Sequence, residues 1–189
     1  MASDIYDNAE LEKMGIRVGR NVRIHKTALF FGTNITIGDN VRIDSYSIIT
    51  SGKPVLLGNY IHIGAGSHIF GTEGIKMDNY SGLSPRCSIF TSTDDYCQGY
   101  MTNPTIPHEF KKVFTAPVHL QKHVIIGCGS VILPGVTLCD GASVGALSLV
   151  NKNVEAYSVV AGTPIQEVGK RDKQQLSKIE EAFRAWQNG

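Results

Sequence analysis

The chain has 189 residues, of which 42% are hydrophobic and 19% are charged, and its formal net charge is +1. This length suits one domain with a small appendage, and the composition and interspersed charges exclude a disordered chain and a nucleic-acid partner, which would need a basic stripe. No run of about 18 apolar residues and no basic region before an apolar stretch is present, so we expect no transmembrane helix, no signal peptide and a cytoplasmic protein.

The first predicted element is one helical turn at residues 9–14, which we expect to cover the start of a repetitive region. In that region an aliphatic residue recurs every six residues, in groups of three: Ile37, Ile43 and Ile49; Leu57, Ile63 and Ile69; Met77, Leu83 and Ile89. Two extra residues separate one group from the next. Each group therefore predicts one triangular coil with a longer turn once per circuit.

Residues 94–117 leave this register. The segment is polar, contains three prolines and lacks aliphatic spacing. A loop of this length inside a compact repeat protein is usually functional, although a surface excursion without a role is the alternative. We expect an excursion loop that contributes to a site.

The six-residue spacing returns after the loop. Its aliphatic positions are Leu120, Ile126, Ile132, Leu138, Val144 and Val150, and four residues after each comes a small or β-branched residue: Val124, Ser130, Val136, Ala142, Ser148 and Val154. Neither a helical period of 3.6 nor a strand period of 2 gives this pattern. One aliphatic residue per face would point to the axis of a narrow prism, and stacked coils would bury one continuous core.

The last predicted element is an amphipathic helix at residues 172–189. Its apolar residues fall at helical spacing and are Leu176, Ile179, Ala182, Phe183 and Trp186. We expect this helix either to cap the prism or to pack on a neighbouring chain. The chain is thus predicted to divide into an all-β repeat domain at residues 1–171 and a C-terminal α-helix.

Two motifs resemble those of a known family. Residues 125–136, with the sequence IIGCGSVILPGV, resemble the last-coil signature of hexapeptide-repeat acetyltransferases, and residues 161–164 (AGTP) resemble the closing turn of that family. The likeness covers residues 16–171. Within the family the chain resembles the maltose and galactoside O-acetyltransferases. It is more similar to acyltransferases of lipopolysaccharide and capsule biosynthesis, some of which acetylate nucleotide-linked amino sugars, through residues 92–96 and 102–105.

The resemblance implies a left-handed parallel β-helix that forms a homotrimer, with active sites at the subunit interfaces. It implies acetyl-CoA as co-substrate, lying along a groove where its pantetheine meets backbone amides of the last coils. The matching positions are Gly127, Gly129, Ser130, Gly145, Ala146 and Ser148, which could instead be only turn residues of the repeat. The CoA phosphates would lie near Lys152, Lys170 and Arg171, because exposed cations attract phosphate.

Acyl transfer needs a base within hydrogen-bond reach of the acceptor proton. The maltose-type enzymes place a histidine where this chain has Asp94. Either Asp94 or Asp95 could be the base, or a free amine could attack with little help, or another histidine could substitute. His62 is the favoured histidine, on an outward corner one coil below, where it could pair with a loop carboxylate of another subunit.

The excursion loop supplies the predicted sugar contacts, which are Asp95, Tyr96, Asn103 and His108. His108 is also a third candidate for the base.

These features predict an acetyl-CoA-dependent acetyltransferase that acts on the amino group of a nucleotide-linked deoxyamino sugar, for O-antigen or capsule synthesis. The alternatives are transfer to a sugar hydroxyl and a non-catalytic scaffold trimer. A γ-class carbonic anhydrase shares the prism but needs three histidines around zinc, and only His119 and His123 are suitably spaced. The four cysteines form no CxxC pair or histidine cluster, so we expect free thiols and no metal site.

Overall fold

The structure is a computed structural model that describes residues 4–188, and most of them belong to a parallel β-helix. Those residues contain six coils of three short strands each. The strands of coils 1 to 3 are β1 (Arg17–Val18), β2 (Arg23–Ile24), β3 (Leu29–Phe31), β4 (Ile35–Ile37), β5 (Arg42–Ile43), β6 (Ile48–Ser51), β7 (Val55–Leu57), β8 (His62–Ile63) and β9 (His68–Gly71). Coil 4 consists of β10 (Ile75–Met77), β11 (Gly82–Leu83) and β12 (Ser88–Phe90).

An excursion loop separates coil 4 from coil 5. It contains strands β13 (Ser92–Asp94) and β14 (Val113–Thr115), which pair antiparallel at its base, and a 3-10 turn at His108–Phe110. The remaining strands are β15 (Val118–Leu120), β16 (Ile125–Ile126), β17 (Val131–Ile132), β18 (Thr137–Leu138), β19 (Ser143–Val144), β20 (Leu149–Val150), β21 (Ser158–Ala161) and β22 (Gln166–Lys170). The helices are α1 (Asn8–Lys13) and α2 (Lys173–Asn188).

The strands stack into three faces. The first face has the order β1-β4-β7-β10-β15-β18, the second face β2-β5-β8-β11-β16-β19-β21-β22, and the third face β20-β17-β12-β9-β6-β3. Pairing is parallel within the coils, and the last pair, β21 with β22, is antiparallel. The predicted parallel β-helix of hexapeptide repeats is confirmed.

The predicted axis residues form the core. Each of the fifteen aliphatic positions predicted from the six-residue spacing is at most 4% exposed. The grouping into coils is also confirmed, because Ile37, Leu57 and Met77 are strand partners in successive coils. Cys87 is buried at a small inward position, where its Sγ donates to the carbonyl oxygen of Gly127 at 3.2 Å.

The predicted N-terminal turn is confirmed as α1. Asp7 caps this helix, since its side chain accepts from the backbone N–H of Glu10 while the Glu10 carboxylate accepts from that of Asp7, both at 2.8 Å. Leu11 is buried against the first coil. Such reciprocal capping satisfies two otherwise unpaired donors at the start of a helix.

A ladder of side chains joins the coils at the corner between the first and second faces. The Oδ1 atoms of Asp39, Asn59 and Asn79 each accept from a backbone N–H of the preceding coil, all at 2.8 Å. At the next position each coil turns through the left-handed region, where Tyr60 has φ 58° and Tyr80 has φ 64°. This turn points both tyrosine rings away from the prism.

The C-terminal helix α2 packs along this same corner. The rings of Tyr60 and Tyr80 stack with centroids 5.4 Å apart, Tyr80 stacks on His123 at 4.9 Å, and Phe183 of α2 meets Tyr60 edge-on at 5.3 Å. Glu180 accepts from Lys122 at 2.9 Å and lies 2.7 Å from Nε2 of His123. The helix therefore packs on the side of its own prism, so the prediction that it caps the end is wrong, and packing on a neighbouring chain stays a prediction.

Two further details differ from the sequence prediction. The excursion begins with β13 at Ser92, two residues before the predicted start at 94. Residues 92–94 are already outside the coils, because their backbone pairs with β14 of the loop. The hairpin of β21 and β22 was not predicted at all.

No helix in the described part of the chain is both long and apolar enough to cross a bilayer.

Candidate active site

Asp94 lies at the base of the excursion loop, between two concavities. It is the last residue of β13 and is partly buried, and its Oδ2 accepts from the backbone N–H of Asn103 at 3.1 Å. The first concavity, of about 460 Å³, lies within the loop and is lined also by Tyr96, Lys112 and Phe114. A carboxylate in this position can receive a proton from a ligand that enters the loop.

The second concavity beside Asp94 is mainly apolar. It has a volume of about 370 Å³ and runs onto the third face, where Phe90, Val131, Leu133 and Pro134 line it. An extended chain with few charges suits such a surface, since burial of apolar area favours binding. Asp94 thus stands where a polar and an apolar ligand could meet.

Two of the predicted sugar contacts hold the loop together through their side chains. The carboxylate of Asp95 accepts from the backbone N–H groups of Gln98 at 2.8 Å and Cys97 at 3.4 Å. Burial opposes ionisation of Asp95, but these hydrogen bonds outweigh it and hold its pKa below the ordinary value. A carboxylate stabilised in this way is a weak base. Asn103 has φ 80°, and its Oδ1 accepts from both the N–H and the hydroxyl of Thr105.

The other two predicted sugar contacts are exposed. Tyr96 is 89% exposed, and His108, the first residue of the 3-10 turn, is also exposed. Contact of these four residues with a sugar stays a prediction.

His62 lies on a different face from Asp94. It projects outward from within β8 on the second face and not, as predicted, from a corner, because it directly precedes the buried Ile63. Its Nε2 is 2.8 Å from Oδ2 of Asp44, whose Oδ1 accepts from Nε of Arg42 at 2.6 Å. Burial opposes ionisation of Asp44, but His62 and Arg42 together hold its pKa below the ordinary value.

This geometry separates the two predicted catalytic residues within one chain. The carboxylate that orients His62 is that of Asp44 in the same chain. Asp94 ends β13, which follows the third-face strand β12. Their predicted pairing across subunits stays a prediction.

A cavity of about 230 Å³ lies beside His62 on the second face. Its other polar or aromatic walls are Tyr80, Ser84, His123 and Arg171, and Gly82 lies on its floor. Sequence reasoning missed Ser84. It follows the axis residue Leu83 at the position that Gly64 and Gly127 occupy in the neighbouring coils, so a serine among glycines was the available signal.

Several predicted CoA positions have a packing role. A Cβ on Gly127 would lie 2.5 Å from the backbone nitrogen of Ala146, and one on Gly145 would lie 2.9 Å from Cβ of Ala161. Both glycines are therefore required by the approach of the next strand. Gly129 has φ 72°, which favours glycine at that corner.

The two predicted serines are buried and hydrogen-bonded between coils. Ser130 Oγ donates to the carbonyl oxygen of Gly145 at 3.0 Å, and Ser148 Oγ accepts from the N–H of Gly162 at 3.1 Å. Their hydroxyl groups are unavailable to a ligand. Contact with a pantetheine chain, which stays a prediction, would have to come from the backbone.

The three predicted phosphate contacts do not form one cluster. Lys152 is exposed just after β20 on the third face. Lys170 ends β22 on the second face, where its Nζ donates to Glu167 at 2.8 Å and Ser158 at 2.9 Å. Arg171 donates to the carbonyl oxygen of His123 at 2.7 Å, so it braces the corner beneath α2.

Comparison with known proteins defines the class. The sequence profile of the hexapeptide repeat of succinyl-transferase matches residues 34–70 and 117–146. The dTDP-4-amino-4,6-dideoxy-D-glucose acyltransferase of Escherichia coli is 40% identical over 181 residues, which are 94% of each chain. The chain belongs to the hexapeptide-repeat acyltransferases.

Solved structures agree along the whole chain. AntD, an N-acyltransferase from Bacillus cereus in complex with dTDP and 3-hydroxybutyryl-CoA, superimposes with a TM-score of 0.92, covers 100% of both chains and is 34% identical. A variant of AntD in which a serine is replaced by cysteine, in complex with dTDP-4-amino-4,6-dideoxyglucose and coenzyme A, gives a TM-score of 0.91 at 34% identity. This match covers 98% of this chain and 100% of that one.

Proposed function

We propose that the protein transfers an acetyl group from acetyl-CoA to the amino group of a nucleotide-linked deoxyamino sugar. The observation that carries this proposal is the position of Asp94, which joins the apolar concavity on the third face to the polar concavity in the loop. The apolar concavity suits a pantetheine arm, and the polar concavity suits an amine. The E. coli relative is named for such an acceptor, and AntD was solved with coenzyme A and with that amino sugar.

Asp94 acts as the general base in this proposal. The neutral amine nitrogen forms a bond to the thioester carbonyl carbon, and the carbon–sulfur bond breaks. Asp94 takes the proton that the nitrogen loses, and the leaving thiolate then receives it to give CoA as a free thiol. The carboxylate is held in place by its hydrogen bond from Asn103 at 3.1 Å.

The active form is proposed to be a homotrimer. Asp94 lies beside the third face, whereas the cavity with His62 and Ser84 lies on the second face. A site that uses both needs two chains, and closed cyclic symmetry is the common way to repeat such an interface. A role in lipopolysaccharide or capsule synthesis and a cytoplasmic location stay predictions.

In the test, the purified protein is incubated with acetyl-CoA and dTDP-4-amino-4,6-dideoxyglucose, and release of free thiol is measured. The matched control is the same nucleotide sugar with a hydroxyl group in place of the amine. Release of free thiol with the amine alone, and a product that resists neutral hydroxylamine as an amide does, are the expected results. A hydroxylamine-labile ester formed from the hydroxyl control would instead indicate O-acetylation. Absence of thiol release with both acceptors would contradict the proposal.

The acyl chain is tested in the same assay. Acetyl-CoA should give a higher kcat/KM than 3-hydroxybutyryl-CoA if the proposal is right in this respect. The reverse order would keep the acceptor and change the donor.

A further inference from the structure

Gly82 is a glycine that the fold requires less strictly than Gly64. It lies in strand β11, in the outward row of the second face, with His62 and Ile125 as its strand partners. A Cβ at Gly82 would lie 3.3 Å from the backbone carbonyl oxygen of His62, a tight contact that a shift of a few tenths of an ångström relieves, whereas one at Gly64 would lie 2.6 Å from the backbone nitrogen of Pro85. Glycine inside a strand weakens it, and often marks a place where a ligand approaches the backbone closely.

The absent side chain creates the floor of the 230 Å³ cavity. Around this bare backbone stand the imidazole of His62, the ring of Tyr80 and the hydroxyl of Ser84. Hydrogen-bonding groups and flat rings around an open floor suit the ring of a sugar, which has polar edges and apolar faces.

The same outward row becomes cationic towards the N-terminal coils. Arg42 is the strand partner of His62, and Arg23 is the strand partner of Arg42. Adjacent strands are about 4.8 Å apart, so Arg42 lies roughly 10 Å from Gly82 along the row. In the opposite direction the row continues with Ile125, which is apolar and 49% exposed.

Both arginines have donors available to an anion. Arg42 gives its Nε to Asp44, which leaves its two terminal amino groups, and Arg23 makes no side-chain hydrogen bond within residues 4–188. Together with His25, and with Asp44, whose carboxylate pairs with Arg42 and His62, they line a further concavity of about 170 Å³. Planar guanidinium groups bind phosphate in a bidentate manner and remain charged.

We propose that this row, Arg23, Arg42, His62 and Gly82, is the binding track for the acceptor. The sugar lies on Gly82, and the diphosphate of its nucleotide reaches Arg42 and Arg23. This inference rests on the proposed function for the identity of the acceptor. It also predicts the orientation of the bound acceptor: the nucleotide extends towards coils 1 and 2, away from the last coils.

The experiment measures binding by calorimetry, separately from turnover, with dTDP and with dTDP-4-amino-4,6-dideoxyglucose as probes. Arg23→Gln should weaken both ligands by about 10–100-fold, and the double change Arg23→Gln with Arg42→Gln by about 10²–10⁴-fold, since each hydrogen bond to a charged group contributes roughly 1.5–3 kcal/mol and 1.4 kcal/mol is about tenfold in affinity. The single change is informative because Arg23 has no hydrogen bond to Asp44. Its loss therefore tests contact with the anion without disturbing the bonds of Asp44 to Arg42 and His62. Arg17→Gln, an exposed arginine of coil 1 on the first face, is the matched control and should bind both ligands as the parent does.

The glycine is tested by Gly82→Val and Gly82→Ala. Both should weaken the amino-sugar nucleotide, valine by about tenfold or more, and leave dTDP affinity and the KM for acetyl-CoA unchanged. Valine favours a strand, but its Cβ would lie 3.3 Å from the carbonyl oxygen of His62, so the melting midpoint of each variant is measured alongside binding. The alanine variant keeps the test decisive if valine disturbs folding. Lys76→Val, at an outward position of coil 4 on the first face, is the matched control.

Three results would overturn the inference: a parent protein that does not bind dTDP, arginine variants that bind it as well as the parent, or glycine variants that keep full affinity for the amino sugar. Failure of the proposed function looks different. In that case dTDP binds and the arginine changes weaken it, but no acyl group is transferred to the amine.

Discussion

At the scale of single residues, Asp94 carries the proposed chemistry and also accepts the hydrogen bond from Asn103. Replacement by asparagine keeps an oxygen for that bond but removes the ability to take a proton. We expect Asp94→Asn to lower kcat by about 10²–10⁴-fold, the usual contribution of general acid–base catalysis, with little change in the KM for acetyl-CoA. Steady-state thiol release measures both constants.

A loss of less than about tenfold in kcat would contradict the base assignment. It would indicate that the amine attacks without help, since positioning alone would then remain.

The register of the repeat makes a second prediction at this scale. Ile132 is fully buried on the axis, and its neighbour Leu133 is only partly buried on the third face. Ile132→Ala should lower the free energy of unfolding by about 2–5 kcal/mol, as truncation of buried aliphatic side chains does. Leu133→Ala should cost less in the same denaturant titration, and equal losses would be inconsistent with the observed register.

Residues that face the axis could be predicted from the sequence, whereas the contacts of outward residues could not. The spacing of aliphatic residues predicts which side chains face the axis, because each coil must bury one per face. Outward residues have no such constraint. The bond from His62 to Asp44 joins residues 18 apart in adjacent coils, and it became visible only once the register was known. Ser84 did have a signal in the sequence, since it takes the place of Gly64 and Gly127, but that signal does not identify its neighbours.

At the scale of elements, the docking of α2 depends on Glu180. Burial alone would raise the pKa of this carboxyl group, but hydrogen bonds from Lys122 and His123 outweigh it and lower the pKa from 4.5 to about 2. For an acid with a depressed pKa, the stabilisation is complete above the unfolded value and is lost as the pH falls towards the folded value. Docking of α2 should therefore weaken as the pH drops from about 4.5 to about 2.

Fluorescence of Trp186 on α2 and amide exchange of the helix report this docking. Glu180→Gln should flatten the dependence on pH in that window. Glu181→Gln, which changes the exposed neighbouring residue, should leave it unaltered.

Helical periodicity predicted α2 itself but not its location. Periodicity shows that one side of a helix is apolar, and it does not identify the surface that covers this side. The partner turned out to be Tyr60 and Tyr80, which lie outside the prism because their corner adopts left-handed φ values. The excursion loop was predicted from its lack of register, whereas the β13–β14 pair at its base has no distinctive spacing.

At the scale of the whole molecule, the separation of Asp94 from Ser84 predicts an assembly. Gel filtration with light scattering should give a mass about three times that of the 20.5 kDa chain. A catalytically competent monomer would contradict the proposal.

Mixing of chains tests whether the site is shared. Asp94→Asn and Ser84→Trp, which fills the cavity, should each inactivate the protein. In randomly mixed trimers about a quarter of the interfaces would combine an intact loop with an intact second face, so activity should return to about that level. No recovery after unfolding and refolding the two variants together would mean that both residues act within one chain.

The contacts of α2 also bear on how the prism opens. In a stack where each coil touches only its neighbours, unfolding starts at the ends and advances one coil at a time. Through Tyr60, Tyr80 and His123, α2 holds coils 3, 4 and 5 at once. The helix therefore couples the local unfolding of these three coils. Their amide protons should exchange at one common rate, and those of coils 1 and 2 should exchange faster. A chain shortened to end before Lys173 should lose this common rate, and the exchange of coil 3 should approach that of coil 2.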